Sequence, residues 1–250
     1  MSDIQDISNG LEIQKKSMLT LETRDLVLEL NKIRYINKIN LAIRSDNLTV
    51  VMGENGAGKS LLLRLLHGLI NPTHGEILWN GVQMNDSIRK QQAMVFQRPV
   101  LLRRTVAANI DFVLRLKGLN HKDHRDQILE NVGLLEFYNK PARALSVGEQ
   151  QRLALARSLA TDPEIIFLDE PTASLDPSST LAIEKIVEKA HKNGTKIIFI
   201  THNLGQAKRV ADDVVFLHKG KLVEHSPAIT FFDNPTSEAA KAYLEGRILL

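Results

Sequence analysis

The chain has 250 residues, 43% of them hydrophobic and 24% charged, with no cysteine and a net charge of +3. It is long enough for one large domain, or one domain with a sizeable insertion, and to bury a substantial core. The lack of cysteine excludes a disulfide framework and thiolate zinc sites, the small charge gives no ground for a nucleic-acid partner, and no apolar run approaches the roughly twenty residues of a membrane-spanning helix.

Residues 1–18 mix Asp, Asn, Gly, Glu and Lys without a long apolar stretch and read as a solvated leader, with a single domain over 19–246. Residues 19–30 and 35–43 alternate apolar and polar positions, predicting antiparallel strands with one polar face. The apolar run 48–52 predicts a strand, and a helix follows over 59–69, ended by Asn71-Pro72. Strands are expected over 75–79 and 93–96, with Asn80-Gly81 as the turn between them. Helical periods over 106–117, 124–131 and 146–160 then mark a helical insertion of about 98–160. Beyond it, strand 165–168, helix 179–192, strand 195–201, helix 204–210 and strand 214–217 restore an α/β rhythm. Such a rhythm predicts a mostly parallel sheet with helices on both faces.

Between the strand at 48–52 and the helix at 59–69 stand Gly53, Glu54, Asn55, Gly56, Ala57, Gly58, Lys59 and Ser60. Glycines let such a loop turn tightly and aim amide N–H groups at anionic oxygens, and the following helix offers its positive end. Lys59 would reach the β- and γ-phosphates of ATP, and the Ser60 hydroxyl would ligate Mg²⁺. The apolar run 165–168 delivers Asp169 and Glu170 at its carboxyl end, where ligands of α/β sheets sit. There Asp169 would hold Mg²⁺ and Glu170 would polarise the attacking water. A hydroxyl, a carboxylate, waters and phosphate oxygens together make the oxygen shell Mg²⁺ prefers.

The segment Leu145-Ser146-Val147-Gly148-Glu149-Gln150-Gln151-Arg152 resembles the Leu-Ser-Gly-Gly-Gln signature of the ATP-binding cassette (ABC) ATPases. The order of further motifs is similar too. Gln97 stands where the family's Q-loop glutamine belongs, Glu170-Pro171-Thr172 follows the acidic strand, Ser174-Leu175-Asp176 resembles the D-loop, and His202 resembles the switch histidine. The resemblance covers roughly residues 20–225. It implies a P-loop NTPase core with an antiparallel β subdomain and an inserted α-helical signature subdomain. It also implies a head-to-tail homodimer, each ATP lying between the phosphate loop of one copy and Ser146, Gly148 and Glu149 of the other, with Asp176 nearby. Glu170 would be the general base, His202 would hold the γ-phosphate and water, and Ser60, Gln97 and Asp169 would surround Mg²⁺.

The chain departs from the family pattern at four places. Val147 replaces a glycine and Glu149 a glutamine in the signature, and Leu61 stands where many members have a threonine beside the α-phosphate. The adenine-stacking aromatic aligns with Leu30 without gaps, and with Tyr35 if the connection is shifted. His121 and His124 read as a solvated helix face, and His67, His74, His191, His218 and His225 as surface or core-edge residues.

Residues 97–110, the stretch that in this family faces the permease, are similar to those of bacterial tungstate and related oxyanion importers. After His202 only residues 203–250 remain, too few for the extra regulatory domain common in molybdate cassettes. The expectation is therefore a tungstate-type import ATPase, peripheral on the cytoplasmic face of the membrane. Its partners would be permease subunits and, indirectly, an extracytoplasmic solute-binding protein. The alternatives are a cassette for phosphate, an amino acid or a lipid, or a regulatory ABC protein without transport.

Overall fold

Alternating residues pair as expected at the start of the fold, where β1 (Thr20–Leu30) and β2 (Ile33–Arg44) form an antiparallel hairpin closed by Asn31 and Lys32, both at positive φ. The computed structural model describes residues 20–119 and 122–247; the expected leader and His121 lie outside the described residues. The fully buried β3 (Leu48–Gly53) runs into the glycine-rich loop and α1 (Lys59–His67). That helix ends at His67, short of the expected residue 69. Gly68 takes a left-handed conformation (φ 77°), and the amides of Gly68 and Leu69 turn back onto the Leu65 and Arg64 carbonyls. Glycine adopts this cap with little strain, so Asn71-Pro72 follows the stop and does not cause it.

β4 (His74–Trp79) pairs with β1, and the Asn80-Gly81 turn returns it to a two-residue β5 (Val82–Gln83), not to the strand expected at 93–96. A short α2 (Asp86–Lys90), capped by Asn85, leads instead to β6 (Gln92–Val95) in the other sheet. Both strands share one period, and the period does not say which sheet a strand joins.

The insertion contains α3 (Val106–Leu116), α4 (Lys122–Asn131), two short 3₁₀ turns and α5 (Val147–Leu159). It packs around its own cluster, including Ile110, Leu114, Leu129, Leu134 and Leu153. The chain then returns to the core as β7 (Ile165–Asp169), α6 (Pro177–Lys192), β8 (Lys196–Ile200), α7 (Leu204–Val210) and β9 (Asp213–His218). Three more elements follow beyond the predicted ones: β10 (Lys221–Pro227), α8 (Ala228–Asp233) and α9 (Glu238–Leu244).

Among the described residues two sheets result, a four-stranded antiparallel one ordered β2-β1-β4-β5 and a six-stranded one ordered β10-β9-β3-β8-β7-β6. The second is parallel from β9 to β6, with β10 antiparallel at its edge. Val50, Ile166, Phe199 and Phe216 pack towards the helices on one face. Val51, Phe167, Ile198 and Leu217 pack towards α1 and the antiparallel sheet on the other, so helices alone do not cover both faces. Burial on both sides explains why the parallel strands read as unbroken apolar runs. Phe167 is fully buried with His67 and Trp79 edge-on at 5.7 and 6.3 Å, and truncating such a side chain to Ala costs about 3–5 kcal/mol.

Candidate nucleotide site

The carboxyl ends of β3 and β7 bring the two predicted phosphate-site motifs together. The Lys59 ammonium is buried and donates to the Gly53 and Glu54 carbonyls at 2.8 and 2.9 Å, leaving a third N–H for an anion. Burial lowers its pKa, against the opposing pull of Glu170, Asp169 and Glu54. The Ser60 hydroxyl donates to Asp169 Oδ1 at 2.7 Å. Burial pushes the Asp169 carboxyl up, and the Ser60 hydrogen bond works against that shift. A hydroxyl and a carboxylate side by side at the entry to a phosphate loop are hard oxygen donors of the type Mg²⁺ takes, so these residues fit the ion.

Gly58 is the N-cap of α1 in a left-handed conformation (φ 100°), with no side-chain cap. A Cβ there would stand 2.9 Å from Ile36 Cδ1 and 3.0 Å from the Tyr35 carbonyl oxygen. The β2 backbone at Tyr35 therefore abuts the loop, and Asn37 N–H···O=C Gly220 and Gly220 N–H···O=C Ala57 bonds fasten the two together. The Tyr35 side chain is 40% exposed, whereas Leu30 pairs with Ile33 at the far end of the hairpin. Leu61 is half-buried against the core under α1.

Glu170 follows β7 at φ 48°, a conformation that costs a non-glycine residue on the order of 1–2 kcal/mol and is found where surrounding structure enforces it. Its Oε2 accepts from Gln97 Nε2 at 3.4 Å and lies 3.3 Å from His202 Nδ1. Gln97 and His202, respectively 73 and 32 positions from Glu170 in sequence, thus converge on its one carboxylate oxygen. The loop behind Glu170 is fixed by a chain of contacts that the sequence did not disclose. Thr172 donates to Gln206 at 2.9 Å, Gln206 to Glu184 at 3.0 Å, and Arg209 pairs with Glu184 at 2.7 Å. Its only advance signal was the presence of polar residues on helices, which ordinarily denotes a solvated face.

The signature occupies a separate position, at the start of α5. Ser146 is the N-cap: its Oγ accepts from Glu149 N–H at 3.3 Å, and its own N–H donates to Glu149 Oε2 at 2.7 Å, a reciprocal capping box. The Ser146 N–H holds the Glu149 carboxyl below its ordinary range. Val147 is 60% exposed and Gly148 is buried. Gln151 ties α5 to the strand that precedes Gln97, donating to the Phe96 carbonyl at 3.1 Å. Asp176 caps α6, accepting from the N–H and hydroxyl groups of Ser178 and Ser179, which depress its pKa. His218, read from sequence as a surface or core-edge residue, lies 3.3 Å from Glu54 of the phosphate loop.

Among the described residues no helix is long and apolar enough to cross a membrane. A family model described as ABC transporter matches residues 36–173. The phosphate import ATP-binding protein PstB of Pseudoalteromonas translucida is 35% identical over 246 residues, covering 91% of this chain and 89% of that protein. PstB of Campylobacter jejuni is 37% identical over 241 residues, covering 90% and 98%. Among solved structures, cbiO1 from Clostridium perfringens, part of the ABC transporter complex cbiONQ, superposes with a TM-score of 0.78 at 27% identity, covering 86% of this chain and 90% of that one. The ATP-binding cassette MJ0796, a dimer in a post-hydrolysis state with ADP and Pi, gives 0.75 at 26% identity, covering 83% and 98%.

Proposed function

Because the chain belongs to the ABC transporter family as its ATP-hydrolysing cassette, we propose that it powers a multi-subunit importer of a tetrahedral oxyanion. Phosphate is the favoured cargo. The curated relatives at 33–37% identity are named for phosphate import, and none of those compared supports the tungstate expected from residues 97–110. The cassette works peripherally at the cytoplasmic membrane face, against permease subunits that receive solute from an extracytoplasmic binding protein.

The observation that carries the catalytic reading is the convergence of Gln97 and His202 on Glu170, beside the Ser60–Asp169 pair and Lys59. Lys59 holds the β- and γ-phosphates, and the amides of Gly56 and of residues 58–60 cradle them, the Ala57 amide being spent on the Glu54 carbonyl. Ser60, Asp169 and Gln97 would hold Mg²⁺, which would supply positive charge beside the phosphate oxygens. Glu170 takes a proton from water as the water oxygen attacks the γ-phosphorus, the bond to the bridging oxygen breaks, and ADP and phosphate result. His202 orients the γ-phosphate and water. Tyr35 stacks on adenine, since its backbone already adjoins the loop.

Two copies complete the site. Ser146 Oγ accepts from the Glu149 N–H, so its O–H is available to donate a hydrogen bond to the γ-phosphate held by the partner, with the start of α5 behind it. The test is reconstitution with the permease and binding protein in proteoliposomes. Phosphate-loaded binding protein should raise ATP hydrolysis well above the unloaded level, with tungstate and molybdate weaker. Stimulation by tungstate alone would restore the tungstate assignment, and stimulation by an amino acid or a lipid would reject the oxyanion class while leaving the ATPase intact.

A further inference from the structure

Gly148 lies in the first turn of α5, where the backbone is ordinary helix and no positive φ demands glycine. What demands it is a neighbour. A methyl group at 148 would stand 2.5 Å from Ser179 Oγ and 2.8 Å from Ser179 Cβ. Rotating Ser179 about χ1 moves the oxygen away but leaves its Cβ in place, so α5 and α6 would have to separate.

Ser179 is itself held from the other side. Its N–H donates to Asp176 Oδ1 at 2.9 Å and its hydroxyl to Asp176 Oδ2 at 2.6 Å. Asp176 is the N-cap of α6 and closes the short loop that leaves Glu170. Chain and contacts together therefore run from Glu170 through Asp176 and Ser179 to Gly148 and the capping box of Ser146. The loop start is fixed by the Gln97 and His202 contacts to Glu170, and its middle by Thr172 on Gln206.

We propose that Ser179 is a positioning residue for ATP hydrolysis. Its side chain seats against Gly148 and sets the signature turn of α5 in register with the loop behind Glu170, so that the half-site offered to the partner moves with the chain's own catalytic strand end. The inference rests on the two-copy reading above. It differs from that reading in the reason for glycine at 148, which is a contact within the chain and not only the approach of the partner's phosphate.

The test is a rescue experiment on the intact chain with Gly148→Ala, Ser179→Gly and the double variant, measuring kcat and KM for ATP and the affinity of a fluorescent ATP analogue. Gly148→Ala should lose about tenfold to a hundredfold in kcat, the scale of a misplacement near 1 Å, with analogue affinity unchanged because the phosphate loop is untouched. Ser179→Gly removes the seat and should lose about threefold to tenfold in kcat at unchanged KM. In the double variant the alanine methyl occupies the space Ser179 vacates, and kcat should return to within about threefold of Ser179→Gly alone.

A double variant as slow as Gly148→Ala would overturn the proposal, since the glycine would then serve only the partner's nucleotide. Full activity in Gly148→Ala would overturn it as well. Should Gly148→Ala not fold, Ser179→Gly decides alone: lowered kcat at unchanged KM supports the role, and unchanged kcat overturns it. A parent chain that neither binds the analogue nor hydrolyses ATP would instead refute the ATPase reading on which the inference stands.

Discussion

The starts of α1 and α5 are the two helix ends proposed to meet an anion, yet they treat their own backbone donors in opposite ways. At α1 the cap is a left-handed glycine with no side-chain cap, so the first-turn amides are left for a ligand. At α5 the Ser146–Glu149 box satisfies two donors inside the chain. A site with uncapped donors, a buried cation and a hydroxyl–carboxylate pair should bind phosphate without help. A self-capped turn holds its shape alone and, on the proposed two-copy reading, would add one hydroxyl to an anion bound elsewhere. The first end should therefore govern nucleotide affinity, and the second turnover and assembly.

The largest effect that sharpens this contrast falls between them, at Glu170. Glu170→Gln should reduce steady-state turnover by roughly 10²–10⁴-fold, the usual contribution of a general base, with nucleotide affinity preserved. Turnover within twofold of the parent would remove Glu170 from the chemistry. Lys59→Ala should act on affinity. Loss of charge-assisted hydrogen bonds worth about 1.5–3 kcal/mol corresponds to roughly 10–100-fold weaker binding in a fluorescent-nucleotide titration.

Tyr35→Ala should weaken ATP binding by about 1–3 kcal/mol and Tyr35→Phe hardly at all, as expected for one aromatic–base stack. Equal loss in both would leave the tyrosine as a packing residue and return Leu30 to consideration. Ser146→Ala should lower chain stability by about 1 kcal/mol in denaturant melts through the lost cap, with nucleotide affinity unchanged. An affinity loss matching that of Lys59→Ala would erase the distinction between the two ends.

The smallest effect is on pH dependence. The Ser146 N–H holds the folded-state pKa of Glu149 below its ordinary value of 4.5. The stabilisation is therefore present above that value and is lost as pH falls through the lower folded pKa. Glu149→Gln should shallow the fall in melting temperature between neutral and strongly acidic pH, and an identical profile would show that the box contributes nothing.

Much of the nucleotide core was legible because its chemistry is local. Residues 53–60 are contiguous, and Asp169 and Glu170 follow directly from an apolar strand. The antiparallel hairpin and the helical insertion were readable from their periods. What escaped depends on contacts between distant segments. Nothing near Gly148 announces Ser179, and nothing near Thr172 announces the Gln206–Glu184–Arg209 chain. β10 escaped because an edge strand carrying Lys221, Glu224, His225 and Ser226 lacks the apolar run of its neighbours. The transported solute was not readable either, because no residue of the nucleotide site has to touch it.

The central claim is that one chain carries two half-sites, and the most direct test is the mass of the Glu170→Gln chain by light scattering with and without MgATP. Binding without turnover should trap the closed pair, giving the 28.0 kDa monomer without nucleotide and twice that mass with it. A monomer at saturating MgATP, or a dimer indifferent to nucleotide, would contradict the account.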